Sequence, residues 1–258
     1  MTESAESLFT GILARDRRRL SRSVSEIVNS SLIGRELARR LDEGRHRAFT
    51  IGITGPPGAG KSTLISHLTP ALQKRGGRVA VLLVDPSSPV SGGAVLGDRI
   101  RFSRVAGSAD VFVRSFGSRG GVGGVIAALD HVIKAVAAAD FDTVIVETVG
   151  AGQSDIAITS TAHCTICAMP PGLGDSIQAI KAGIQEVADL FVVTKGDRPG
   201  ADQLLRQLRN VPYRVGDDRA RPVFRTSATD AEGIDSLADD LRSRYLAAMK
   251  IGAPSSRI

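Results

Sequence analysis

Residues 49–63 read Phe49-Thr50-Ile51-Gly52-Ile53-Thr54-Gly55-Pro56-Pro57-Gly58-Ala59-Gly60-Lys61-Ser62-Thr63. A short apolar run of strand type passes directly into a complete G-x-x-x-x-G-K-S sequence. Each part of that pattern has a physical task. The glycines let successive backbone N–H groups turn into one concavity, and a helix starting at the lysine offers its positive end to an anion. Lys61 carries a cation to β- and γ-phosphate oxygens, and the Ser62 hydroxyl can ligate Mg²⁺. The predicted phosphate-contacting residues are therefore Gly55, Pro57, Gly58, Ala59, Gly60, Lys61, Ser62 and Thr63. A functionless Gly/Pro-rich turn would explain the glycines and prolines, but not the lysine and hydroxyl at the head of a helix.

Outward from this stretch, short apolar runs alternate with helical periodicity. Val79–Val84, Val111–Val113, Thr143–Val146, Thr165–Met169, Leu190–Val193 and Val223–Arg225 read as strands. Such alternation implies right-handed crossovers, hence an α/β fold with a mainly parallel central sheet flanked by helices. Before it, Leu8, Ile12, Leu20, Val24, Ile27, Val28, Leu32, Leu37 and Leu41 recur at helical spacing, with an interruption near residues 29–34. We read residues 1–46 as an N-terminal helical extension, 47–250 as the nucleotide domain and 251–258 as a short tail.

Bulk properties narrow the class. The chain has 258 residues, 42% hydrophobic and 23% charged, as in an ordinary globular protein with a substantial core. No apolar run reaches the ~18 residues of a membrane span. The N-terminus is polar and acidic, unlike a secretory signal, so a cytoplasmic location is expected with no membrane partner. The net charge of +6 invites a nucleic-acid reading, and Arg15, Arg17, Arg18, Arg19 and Arg22 form its densest cluster. Aromatic content of 4% without tryptophan leaves few stacking platforms, so no nucleic-acid partner is expected. The cluster reads instead as a solvated basic helix face that could dock an acidic protein. Cys164 and Cys167, with His163 beside them, raise a metal or redox site. In a strand, however, side chains three apart face opposite ways and cannot grip one ion, so both read as core.

In this architecture ligands bind beyond the carboxyl ends of strands, and the remaining motifs fall there. Val84-Asp85-Pro86-Ser87-Ser88 places a carboxylate at one strand end, and the glycine-bearing loop after it carries Asp98. Such a loop suits a segment ordered by a γ-phosphate and Mg²⁺, or equally a solvated Asx turn. Val144-Ile145-Val146 ends in Glu147, with Gly150 three residues on. The acid could hold Mg²⁺ or orient the attacking water, and the Gly150 N–H could sense the γ-phosphate. Metal-side candidates are thus Ser62, Asp85 and Glu147. Catalytic candidates are Lys61, Asp85, Asp98 and Glu147. Thr194-Lys195-Gly196-Asp197 suggests the base, because an aspartate accepts both hydrogen bonds from the guanine edge, a pairing adenine cannot supply. GTP is therefore expected over ATP. Thr194 stands where asparagine is usual, and Ser227-Ala228 resembles an element whose backbone N–H reads guanine O6. A helix cap is the other reading of Ser227.

Together these strings resemble the P-loop GTPases of the G3E type that serve adenosylcobalamin-dependent acyl-CoA mutases, the MeaB/ArgK family. The resemblance is carried by residues 52–63, Val84–Ser88, Gly92–Asp98 and Val146–Ser154, and runs from about Leu8 to Leu246. It implies a P-loop NTPase fold, GTP/GDP and Mg²⁺ as ligands, and slow, partner-stimulated hydrolysis. It also implies a chaperone role in cofactor loading, protection and reactivation of the mutase. Residues 171–189 look like the family's additional switch, so Asp175, Gln178 and Lys181 are implied partner contacts. Ala151 follows Gly150 where a signalling GTPase would carry a water-orienting glutamine, which agrees with slow hydrolysis. Family members continue into a dimerisation arm, whereas this sequence stops shortly after Lys250, so a homodimer is an open expectation. Two other functions share parts of the pattern: a GTPase metallochaperone for a nickel enzyme, which normally carries a His-rich segment, and a small-molecule kinase, which predicts ATP and an acceptor pocket.

Overall fold

The computed structural model describes residues 3–85, 102, 107–117, 122–148, 160–172, 188–211, 221–228 and 232–251. Among these, seven strands alternate with helices: β1 (Phe49–Thr54), β2 (Val79–Asp85), β3 (Val111–Gly117), β4 (Thr143–Thr148), β5 (Cys164–Met169), β6 (Leu190–Val193) and β7 (Val223–Arg225). The helices are α1 (Ala5–Leu13), α2 (Arg17–Val28), α3 (Leu32–Glu43), α4 (Lys61–Lys74), α5 (Val122–Ala138), α6 (Ala201–Arg209) and α7 (Ile234–Ile251). The strands hydrogen-bond in the order β3-β2-β4-β1-β5-β6-β7. This is the parallel α/β architecture expected from the alternation. Among the described residues no helix is long and apolar enough to cross a membrane.

Contacts divide the chain into two compact units. The first comprises residues 1–50 and 76–149. Its helical extension is three helices, because two left-handed residues break the periodicity: Arg15 at φ 61° and Ser30 at φ 49°. Each is followed by an N-cap. Asp16 accepts from the Arg18 and Arg19 amides at 2.9 and 3.1 Å, and Ser31 accepts from Gly34 N at 2.9 Å. Hydrophobic spacing alone shows only the second break. Leu8, Ile12, Leu20, Val24, Ile27, Leu37 and Leu41 are buried, as their spacing predicted, whereas Val28 is half-buried and Leu32, at the head of α3, is exposed.

The basic cluster is in large part the solvated face expected, with Arg15, Arg18 and Arg22 exposed, but Arg17 is half-buried and tied down. Arg17 donates to the Ser108 and Val111 carbonyls at 2.9 and 2.6 Å, binding α2 to the start of β3. Arg15 pairs with Asp140, Arg19 with Glu3 and Asp16, and Arg22 with Glu26. Arg114 on β3 also reaches Ser25 Oγ at 2.6 Å. Arg17 and Arg114 thus hold α2 against a strand at the end of the sheet order, whose backbone would otherwise invite pairing, while Arg15, Arg19 and Arg22 make surface ion pairs.

The second unit comprises residues 51–75 and 150–258. Its β5, β6 and β7 are parallel, with Met169 opposite Val193 and Val193 opposite Arg225. Cys167, Met169, Phe191 and Val193 pack with Leu204 and Leu208 of α6 in one core cluster. Both cysteines are buried and unbridged, as core strand positions should be. Arg75, at the end of α4, donates to Asp239 Oδ1 (2.6 Å), Asp235 Oδ1 (3.1 Å) and the Asp235 carbonyl (3.0 Å) of α7.

Candidate nucleotide site

The phosphate loop leaves β1 through a backbone only glycine accepts. Gly55 sits at φ 142°, and a Cβ there would run into the Ala168 carbonyl of β5. The loop turns with Ala59 N donating to Pro56 O at 3.1 Å, and Gly60, left-handed at φ 86°, heads α4. No side chain caps this helix start. Its first amides therefore face the loop without a competing capping oxygen, the arrangement that favours an anionic ligand. Pro57 and Gly58 are exposed, whereas Ala59 is buried. Ser62 and Thr63 follow in the first turn.

Lys61 is 7% exposed and donates from Nζ to the Gly55 and Pro56 carbonyls at 2.8 and 3.3 Å. These partners are neutral. A buried ammonium is stabilised far better by an anion than by carbonyls alone, so the loop holds a cation where a phosphate oxygen would complete its coordination.

The Thr194–Asp197 motif begins where β6 ends and grips this loop from outside. Thr194, 4% exposed, donates from Oγ1 to the Ala59 carbonyl at 2.5 Å, and Lys195 Nζ donates to the Gly58 carbonyl at 2.8 Å. Lys195 takes the left-handed conformation, φ 51°. Gly196 N donates to Thr226 O and Thr226 N to Val193 O, both 2.8 Å, which joins the motif to the segment after β7. There Ser227, fully buried, donates from Oγ to Asp197 Oδ1 at 3.2 Å. The hydroxyl read from sequence as a possible cap instead bonds the Asp197 carboxylate. A cavity of about 130 Å³ opens beside these groups, lined among others by Thr194, Lys195, Asp197, Ala228, Thr63 and His67. The predicted second-unit residues that are described thus lie on one loop and around one cavity, with Ser227 reaching the cavity only through Asp197. Sequence reasoning missed Leu64, His67, Arg198, Thr226 and Ile234 as lining residues. The i+4 spacing of Thr63 and His67 was the available signal.

In the first unit, Glu147 is 3% exposed near the end of β4, and Asp85 is the last residue of β2. Leu83 pairs with Glu147 and Val84 with Thr148, so both acids stand at the carboxyl ends of adjacent strands. Asp98, Gly150, Asp175, Gln178 and Lys181 lie outside the described residues.

One other group of possible metal ligands occurs among the described residues: Asp42, Asp130 and His131, whose ligand atoms lie within 4.8 Å of one another. Lys134 Nζ already sits between the two carboxylates, 2.7 Å from Asp42 and 2.6 Å from Asp130. Its hydrogen bond, with that of His131, holds the Asp42 carboxyl below its ordinary pKa of 3.8. A lysine ammonium fills the place of a cation here.

A parallel α/β sheet with a G-x-x-x-x-G-K-S loop between its first strand and a helix defines a P-loop NTPase. Residues 20–257 match the family described as methylmalonyl Co-A mutase-associated GTPase MeaB, and the chain belongs to that family. It is 42% identical over 233 residues to a Pyrococcus abyssi protein named as a candidate GTPase, covering 88% of this chain and 72% of that one. It is 33% identical over 265 residues to the mouse mitochondrial methylmalonic aciduria type A homolog, covering 92% and 62%. A solved structure described as a LAO/AO transport system kinase superposes with a TM-score of 0.72 at 26% identity, over 98% of this chain and 78% of that one.

Proposed function

We propose that this chain is a guanine-nucleotide switch that binds GTP with Mg²⁺, hydrolyses it slowly, and serves an adenosylcobalamin-dependent acyl-CoA mutase as a chaperone. The observation that carries the nucleotide part is the Asp197 carboxylate, held by Ser227 beside a cavity whose neighbouring motif also grips the phosphate loop. Asp197 would accept from the N1–H and amino group of guanine, and the Ala228 amide would serve O6. Lys61 would exchange its carbonyl partners for β- and γ-phosphate oxygens, with the loop amides from Gly55 to Thr63 around the phosphates. The oxygen donors Ser62, Asp85 and Glu147 suit a hard cation such as Mg²⁺. When bound, that ion neutralises charge developing on the phosphate oxygens. Glu147 or Asp85 would orient the attacking water, and Asp98 and Gly150 would respond to the γ-phosphate.

The mutase is proposed from the family's description and from the name of the mouse relative. A switch whose product is a conformation, rather than a metabolite, needs a slow clock that its partner resets. The decisive experiment captures partners from native lysate on this protein loaded with a non-hydrolysable GTP analogue, then measures GTP turnover with and without the captured protein. A cobalamin-dependent mutase retained only in that state, with accelerated turnover, is the expected result. Partner-free turnover of tens per second, or phosphate transfer from ATP to a small amine, would overturn the reading.

A further inference from the structure

His67 is a lining residue that neither the phosphate loop nor the Thr194–Asp197 motif accounts for. It lies on α4 four residues after Thr63 and seven after Gly60, and all three border the same cavity. That spacing places them on one helix face, and side chains on a helix lean toward its N-terminus. The half-buried imidazole therefore projects back over the turn that carries Thr63. Among the described residues it has no hydrogen-bond or ion-pair partner, so no such tie turns it away from the cavity. It also carries the only ring among the described lining residues.

We propose that His67 is a nucleobase-contacting residue of this site, its ring packing on the guanine whose edge Asp197 reads. The inference rests on the cavity being the base site proposed above. Asp197 and Ala228 can address only the edge of a purine, and an edge contact fixes identity without burying the flat faces. An aromatic surface supplies that missing contact, and it does so for the base alone, because the phosphates belong to the loop at the other end of Thr63.

The test compares wild type, His67→Ala and His67→Phe in the full chain by titration calorimetry against GDP, ADP and inorganic tripolyphosphate, the last a probe without a base. His67→Ala is expected to weaken GDP binding about 5- to 150-fold, the range of base–aromatic stacking. Tripolyphosphate affinity should be unchanged, and His67→Phe should recover most of the loss. Unaltered GDP affinity in His67→Ala overturns the proposal, as does an equal loss for GDP and tripolyphosphate. If the alanine variant does not fold, His67→Leu, which fills the space without a π face, distinguishes the same outcomes. A wild type that prefers GDP to ADP while His67→Ala binds GDP normally removes His67 alone. A wild type without that preference removes the base-site reading, and the proposal with it.

Discussion

Thr194→Val tests whether the Thr194–Asp197 motif, proposed to read the base, also holds the phosphate loop in place. Valine keeps the shape of threonine and removes only the hydroxyl that donates to the Ala59 carbonyl at 2.5 Å. Both residues are buried, Thr194 at 4% and Ala59 at 0% exposure, so water cannot replace the lost donor. Leaving a buried acceptor unsatisfied costs about 1–3 kcal/mol, equivalent to roughly 5- to 150-fold in an equilibrium constant. The chain has no tryptophan, so urea unfolding is best followed by far-UV circular dichroism. GDP affinity is measured in parallel by calorimetry. Thr194→Val should lower stability by that amount and weaken GDP binding, while Thr194→Ser, which keeps the donor, should lose much less. A valine variant within about 0.5 kcal/mol of wild type, the range of an ordinary surface change, with normal GDP affinity would refute the coupling.

Asp197→Asn should lower GTP affinity roughly 100-fold or more and move preference toward XTP, read by competition binding; unchanged selectivity would sink the guanine assignment. Lys61→Ala should abolish measurable nucleotide binding while leaving the circular dichroism spectrum intact, since among the described residues the ammonium bonds neutral loop carbonyls. Arg75→Ala should lower Tm by about 2–4 °C, the effect of roughly 1 kcal/mol in a chain of this length, with scanning calorimetry as the measurement. Asp42 has a depressed folded pKa because Lys134, then His131, favours its charged form. Its contribution is therefore present above the unfolded value near pH 4 and lost as pH falls through the lower folded value. Asp42→Asn and wild type should converge in stability in acid and separate above about pH 4, a small effect for a half-exposed side chain.

The strands were legible because each is an apolar run bounded by polar or glycine-rich punctuation. Their ends were less so. β3 extends to Gly117 beyond the apolar Val111–Val113 because Arg114 and Ser115, at the end of the sheet order, are half-exposed and carry no hydrophobic signal. The break between α1 and α2 was hidden because Arg15 seldom adopts positive φ, and nothing local announces it. In the site, local strings such as Gly55–Ser62 and Thr194–Asp197 declared themselves, since their chemistry depends on spacing along the chain. What could not be read were contacts that depend on folding. Thr194 and Ala59 are 135 residues apart, and Ser227 and Asp197 meet where the pairing of β6 with β7 continues through Thr226 and Gly196. Arg17 of α2 misled for the same reason, as its carbonyl partners Ser108 and Val111 lie some 90 residues downstream.

The grip of Arg75 on α7 bears on the order in which the protein is made. Its partners Asp235 and Asp239 lie 160 and 164 residues later, and the unit containing the phosphate loop draws the rest of its residues from position 150 onward. A ribosome therefore releases the loop and α4 long before the helix that anchors them exists. Such distant closures slow folding and leave apolar surface open to other chains meanwhile. For a nascent chain, the nucleotide-binding half begins early and is completed only when α7 emerges.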